Sequence, residues 1–261
     1  MDYQQVAVER LGRVRVVYLN RPEKRNALSR QMSTELIAAL GEADRDTGVG
    51  AVVLTGKGES FCAGGDLADF AAMTSRTAPV IYREGEESTE LFKMGLRMKK
   101  PLIAAVNGQA LGGGCGLVAM CHLALASEKA KFGTPEVRAG IFPFVILPLL
   151  IRAVGPRRAL EMALTGRSLN AGAAREIGLV NNVVAHEELL GEALKLASGV
   201  AGRSPLVLRL GLTAFNTAMD MEINKAMDFL NTLRVIDLMS EDLKEGAMAF
   251  IQKREPEWKG Q

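Results

Sequence analysis

"PLIAAVNGQALGGGCGLVAMCH" (residues 101–122) reads in three parts. "PLIAAVNG" is a continuous apolar run ending in glycine, the mark of a strand buried on both faces. "CGLVAMCH" continues as an apolar helix. Between them crowd four glycines, Gly112, Gly113, Gly114 and Gly116. Each gives up more chain entropy on folding than any other residue, so bare backbone is needed there. A nucleotide phosphate does not fit the spacing. No Lys follows to make G-x-x-x-x-G-K-[ST], and Leu117 stands where G-x-G-x-x-G requires glycine.

A second glycine loop, "FCAGGDL" (61–67), follows another buried strand, "GAVVLTG" (50–56). Two backbone N–H groups from such loops, converging on one point, make an oxyanion hole. The 112–116 loop also opens a helix, whose dipole adds positive potential there. The expected visitor is a carbonyl oxygen that becomes negative during reaction.

That chemistry needs a proton carrier. The chain has two His. His122 sits at an apolar helix end and His186 in a polar turn, and neither accompanies a G-x-S-x-G nucleophile. Glu136, after Pro135 in "KFGTPEVRAG" (131–140), lies among small and apolar residues. Burial there would raise its pKa and suit it to proton transfer near neutral pH. Cys62 and Cys115 read as small core or loop residues.

Outward from these loops, "QVAVERLGRVRVVYLN" predicts a hairpin around Gly12, and Ser29 caps a helix with Met32, Leu36, Ile37 and Leu40 on one face. A polar helical stretch runs to about Lys100. "LALASEKAKFG" predicts a strand and turn. Beyond Pro148 the pattern is helical, broken by a short strand at "LVNNVV", with helices beginning near Glu187, Pro205 and Glu222 and a last one over 240–254. No fixed-period repeat is evident. The reading is an α/β core over residues 1–200 with helices on both faces, and a helical region over 201–261.

Composition narrows the class. The 261 residues are 48% hydrophobic, which supports a large core, and a net charge of +2 argues against nucleic acid or an anionic membrane as the main partner, while leaving room for a local basic patch that binds phosphates. Three cysteines without C-x-x-C suggest neither a disulfide framework nor a zinc site. "MDYQQVAVERLG" has no basic-then-apolar leader pattern, and no apolar run reaches membrane-spanning length, so the expectation is a cytoplasmic protein without metal or redox cofactor.

The residues resemble the crotonase (enoyl-CoA hydratase/isomerase) superfamily. The pieces are "RPEKRNALS" (21–29), "FCAGGDL" (61–67), "KPLIAAVNGQALGGGCGLVAMC" (100–121), "FGTPEVRAGIFP" (132–143), "GPRRALEMALTGRSLNAGAAREIGLVNNVV" (155–184) and "EGAMAFIQKREPEW" (245–258). They stand in the family's order across the chain. The resemblance implies a ββα spiral core, a helical C-terminal trimerisation region, and a homotrimer or dimer of trimers. It implies an acyl-CoA substrate, as in fatty or branched acyl metabolism, and a thioester enolate held by the N–H groups of Gly65 and Gly113, with Glu136 as acid–base. Lys24 or Arg25 would meet the CoA phosphates, with the backbone of Ala27 beside adenine or pantetheine. Ala63, Gly64, Asp66 and Leu67 would lie along the same ligand. Phe250 and Lys253, at i, i+3 on one helix face, would cover the CoA nucleotide of an adjacent subunit, although Phe250 could equally pack at the subunit interface.

Two positions depart from the family. Hydratases of the family place a first catalytic Glu where this chain has Gly116, and His122 replaces a more usual Asp. One carboxylate suffices for moving a double bond between positions 3 and 2 of an enoyl thioester, so an isomerase stands beside a hydratase that uses Glu136 for both protons. Loss of the first Glu also leaves open a CoA-thioester binder without activity. "FPFVILPLL" (142–150) is read as the wall of the acyl pocket or the core beneath it.

Overall fold

A computed structural model describes residues 3–73 and 75–261; the side chains of Leu67, Ala68 and Phe70 lie outside the described part. The chain begins with β1 (Val6–Leu11) and β2 (Val14–Leu19), the expected hairpin, turning at Gly12 with φ +60°. Then come α1 (Arg30–Arg45), β3 (Ala51–Gly56), α2 (Leu67–Met73), α3 (Ala78–Arg97), β4 (Leu102–Val106), β5 (Gln109–Leu111), α4 (Gly113–Met120), β6 (Leu123–Ser127) and β7 (Lys131–Gly133). The remainder is α5 (Leu147–Val154), α6 (Pro156–Thr165), β8 (Leu169–Asn170), α7 (Ala171–Glu176), β9 (Asn182–Val184), α8 (Leu189–Ala201), α9 (Pro205–Ala218), α10 (Ile223–Leu238) and α11 (Glu241–Gln252).

A six-stranded sheet runs β1-β2-β3-β4-β6-β9, parallel except for the hairpin, and a three-stranded sheet runs β5-β7-β8. β3 and β4 are buried from Ala51 to Thr55 and from Leu102 to Val106, because both faces of the large sheet are covered. Val52, Leu54, Leu102, Ala104 and Val106 point into the core with Met32, Leu36 and Leu40 of α1, Leu91 of α3 and Leu117 of α4. Val53, Ile103 and Ala105 point the other way, onto Leu189, Ala193, Ala197 and Ala201 of α8. That row of alanines, four apart, brings α8 close to the sheet.

Successive turns of the chain repeat one plan. Each places a strand in the large sheet, then a short extended piece in a second layer, then a helix. In the first turn the pieces are β2, Leu28 and α1. In the second they are β3, Cys62–Gly65 and α2. In the third they are β4, β5 and α4. In the fourth they are β6, β7 and, beyond a 3-10 turn at Pro135–Ala139, α5. The second-layer pieces are stitched in parallel, Leu28 to Gly65, Cys62 to Ala110, and β5 to β7. This is the ββα spiral the resemblance implies.

Several local readings need correction. β5 intervenes between β4 and the glycine run, so the run follows a second-layer strand. "LALASEKAKFG" holds two strands, β6 and β7. Helical structure starts at Leu147, because Pro148 occupies the first turn of α5, where its missing N–H costs nothing. Of "LVNNVV", only Asn182–Val184 pairs as a strand; Leu179 and Val180 are core residues ahead of it. The polar stretch before Lys100 is two helices, α2 and α3.

Residue 200 lies within the last turn of α8, against the large sheet, and the helices beyond it are α9, α10 and α11. Among the described residues, no helix is long and apolar enough to cross a membrane.

Candidate active site

The four turns of the spiral each deliver a piece of one site. The first supplies "EKRNAL". Arg25 and Asn26 both sit at positive φ, 51° and 55°, a conformation Asn tolerates better than most residues. Asn26 is wholly buried. Its Oδ1 accepts from Arg21 N at 2.8 Å, and its Nδ2 donates to Lys57 O at 2.9 Å and Ser60 O at 2.7 Å. The turn is thereby pinned to the start of the second turn's loop, and Lys24 and Arg25 are left exposed on its rim.

The second turn lies against the first as a ladder. Ala63 N donates to Arg25 O at 3.0 Å, Leu28 N to Gly64 O at 2.7 Å, and Asp66 N to Leu28 O at 3.0 Å. Leu28 bonds to residues 64 and 66, so the N–H of Gly65 points to the opposite side. On that side stands the third turn. Leu111 N donates to Cys62 O at 2.9 Å, and a Cβ built on Gly113 would lie 3.9 Å from Gly65 N. Gly113 opens α4, so its N–H has no partner within the helix. Among the described residues, neither the Gly65 nor the Gly113 N–H meets a backbone acceptor. The two expected donors are neighbours.

The glycines are explained by what presses on them. A Cβ on Gly114 would fall 2.2 Å from Cys62 O, and one on Gly64, itself at φ +101°, 2.9 Å from Leu111 O. Gly112 adopts φ +52° and donates its N–H to Gly133 O at 2.8 Å. A Cβ at Gly112 would fall 2.8 Å from Oε1 of Glu136, so the carboxylate from the fourth turn takes the space of a side chain there.

Glu136 is half-buried, and its Oε2 is shielded from solvent without a hydrogen-bond partner among the described residues. Desolvation pushes its pKa above the ordinary carboxylate value, outweighing a backbone hydrogen bond that lowers it. Proton donors and acceptors at enolate centres have this character. The thiols of Cys62 and Cys115 are fully buried and pushed up to about 12 by that burial, which makes them poor nucleophiles. His186 bonds Ser127 at 3.0 Å, but Ser127 is wholly buried and cannot meet a substrate. His122 takes the Leu102 N–H on Nδ1 at 2.8 Å and donates its own N–H to Leu102 O, tying the end of α4 to β4.

Of the other expected ligand contacts, Ala63 and Gly64 lie in the ladder beside the donors, and Ala27 lies in the turn that pairs with it. Asp66 is held by Arg21, Nη1 to Oδ2 at 2.7 Å, in a pair largely shielded from solvent. Asp66 therefore braces the turn. The Leu67 side chain lies outside the described part of the chain. Phe250 is 85% exposed on the last turn of α11. Lys253 does not share its helix face. It caps the helix at φ 54°, so the i, i+3 argument fails at that residue, where the backbone has already turned left-handed.

Sequence reasoning singled out none of Asn26, Leu28, Phe92 and Ile146, although Asn26 and Leu28 lie within 21–29 and Ile146 within the stretch 142–150 read as pocket wall or core. A Cβ at Gly113 would fall 2.9 Å from Leu28 Cδ1 and 3.7 Å from Phe92 Cζ. One at Gly116 would fall 2.2 Å from Ile146 Cγ2 and 2.9 Å from Phe92 Cε1. The unusual Asn within "EKRNAL" was a usable signal; the other three become visible only once the layers are stacked. Phe144, in "FPFVILPLL", is exposed, while Ile146, Leu149 and Leu150 are core.

Residues 9–261 match the sequence model of a family described as Enoyl-CoA hydratase/isomerase. A crotonyl-CoA hydratase of Syntrophomonas wolfei is 39% identical, over 97% of this chain and 97% of its own. A short-chain-enoyl-CoA hydratase of Clostridium acetobutylicum is 37% identical, over 98% of both chains. Among solved structures, an enoyl-CoA hydratase from Bacillus anthracis superposes with a TM-score of 0.93 at 31% identity, over 99% of this chain and 100% of that one.

Proposed function

The chain belongs to the enoyl-CoA hydratase/isomerase (crotonase) family, and from that membership we propose that it converts enoyl-CoA thioesters through an enolate, with Glu136 as the single acid–base group. The thioester oxygen is placed between the N–H groups of Gly65 and Gly113. As Glu136 removes a proton from the α-carbon, charge gathers on that oxygen, and each donor contributes about 3–4 kcal/mol of transition-state stabilisation. The dipole of α4 adds to the same potential. Lys24, Arg25 and the Ala27–Asp66 ladder are assigned to the CoA arm.

The observation that carries the reading is the Glu136 carboxylate set against Gly112, beside the N–H groups of Gly65 and Gly113, which meet no backbone acceptor among the described residues. Position 116 offers no second carboxylate, which favours relocation of a proton over addition of water. A 3-enoyl thioester loses a proton from C2 to Glu136, and the electrons spread over a dienolate. The same proton is returned at C4 while the double bond settles between C2 and C3. Hydration of a 2-enoyl thioester is the second reading, favoured by the names of the relatives.

The test supplies 2-enoyl-CoA and 3-enoyl-CoA separately in heavy-oxygen water, with Glu136→Gln as control. Conversion of the 3-enoyl to the 2-enoyl thioester without label is expected. A labelled 3-hydroxyacyl-CoA would decide for hydration. Glu136→Gln is expected to abolish turnover while keeping thioester affinity within about tenfold, because the proton transfer acts in the transition state. Wild-type rates in that variant would sink the assignment. Tight binding with no product from the wild-type protein would point to another acyl-CoA reaction or to a binder without activity.

A further inference from the structure

We propose that Ile146, backed by Phe92, selects the chemistry of this site by occupying the volume in which a second carboxylate and its water would stand. The proposal rests on the enolate reading above and adds to it a residue that determines reaction specificity.

Position 116 adjoins the proton carrier. Gly116 donates its N–H to Gly112 O at 3.1 Å, one helical turn on, and Gly112 is the residue against which Glu136 lies. Residue 116 thus lies one turn of α4 beyond the glycine on which the Glu136 carboxylate packs. A side chain there has nowhere to go. Its first carbon would meet Ile146 Cγ2 at 2.2 Å, Ile146 Cβ at 2.9 Å and Phe92 Cε1 at 2.9 Å. Real Cβ atoms do not approach that closely, so even alanine forces a shift.

The obstruction is built in. Ile146 is 3% exposed and Phe92 is 8% exposed. Ile146 stands at the start of α5, and its carbonyl accepts from Leu149 N and Leu150 N, both at 3.1 Å. Its β-branched side chain has little freedom at χ1. Phe92 is fixed by α3 in the main core. Glycine at 116 and isoleucine at 146 are thus a steric match, the first leaving the room that the second fills.

The chemical consequence follows from what lines the space. A buried water needs two to four polar partners, and this wall offers hydrocarbon. Among the described residues, the space at position 116 is filled by Ile146 and Phe92, which supply Glu136 with neither a second acid nor a held nucleophile. The proton Glu136 takes goes back to carbon, and the enolate is kept from solvent on that face.

The test compares wild type, Gly116→Glu, Ile146→Ala and the double variant by thermal melting, by hydration of 2-enoyl-CoA, and by isomerisation of 3-enoyl-CoA in heavy water. Gly116→Glu alone is expected to melt several degrees lower and to gain no hydration. Adding Ile146→Ala is expected to recover much of the melting temperature and to raise hydration at least tenfold over wild type. Ile146→Ala alone is expected to raise the fraction of solvent deuterium at C4 of the product at least twofold. Equal melting and equal hydration in Gly116→Glu and the double variant would overturn the proposal. So would a folded double variant without hydration, together with an unchanged deuterium fraction in Ile146→Ala. Melting reads the packing claim without any turnover. Should Gly116→Glu fail to fold, the deuterium fraction decides. Full activity in Glu136→Gln would instead overturn the enolate reading, and the two failures are told apart.

Discussion

Glu136 holds a carboxyl group where its ionised form is disfavoured. Its pKa is raised above the ordinary carboxylate value, chiefly by desolvation. The folded protein therefore holds this proton more tightly than the unfolded chain does. Stability from this group is fully present below the unfolded pKa and is lost as pH rises through the raised folded one. Gln has no such loss. Glu136→Gln is expected to melt close to wild type near pH 4 and progressively above it toward pH 8, the gap opening above the ordinary Glu range and then levelling. Melting curves of both proteins across that range check this, and a constant gap would contradict it. Glu136 was found in the sequence by elimination and by its apolar setting. Ile146 and Phe92 were not, because what they do depends on residues 116 and 113, which the chain brings to them only through tertiary packing. Asn26 shows a middle case: its type and its turn were legible, its three buried hydrogen bonds were not.

Elements with strong periodicity or a clear cap were readable. Ser29 accepts from Met32 N at 3.1 Å and starts α1 where expected, and Met32, Leu36 and Leu40 are buried as a stripe, with Ile37 at its edge. The two- and three-residue strands β5, β7, β8 and β9 carry too few side chains for a period to show. What holds them is their neighbours across the second layer. Helix crossing was likewise hidden. Gly95 in α3 lies against the end of α4, and a Cβ there would fall 1.8 Å from Met120 O. The obstacle is backbone, so one helix must move. Gly95→Ala is expected to cost about 1–3 kcal/mol in denaturant unfolding, despite alanine's better helix propensity. A neutral or stabilising result would contradict a close backbone contact between α3 and α4. Since α3 carries Phe92 and α4 carries Gly113, the same variant should also slow turnover.

For the whole molecule, the plan of large-sheet strand, second-layer piece and helix recurs four times, yet no period shows in the sequence. The stitching points Leu28, Gly65, Leu111 and Gly133 fall at unequal intervals, because each turn has its own helices and loops. The C-terminal helices were readable singly, and their outer surface carries many apolar side chains among the charged ones. Phe215, Ile223, Met227, Val235, Met239 and Ile251 are all exposed, Met239 by 75%. Solvent rarely faces a surface of that kind in a lone protomer. A trimer or dimer of trimers formed through α9–α11 is the expected state in solution. Light scattering should give that mass, and Met227→Glu should lower it toward the single chain. A wild-type protein that runs as a monomer would refute the assignment.

The stitching also sets an order of events in biosynthesis. The turn near Lys24, the proposed donors at Gly65 and Gly113 and the proposed base at Glu136 emerge from the ribosome one after another, each from a separate turn of the spiral. No fragment that stops short of Glu136 holds more than part of the set. On the roles proposed above, truncated translation products and proteolytic pieces from the first half of the chain are expected to be inert.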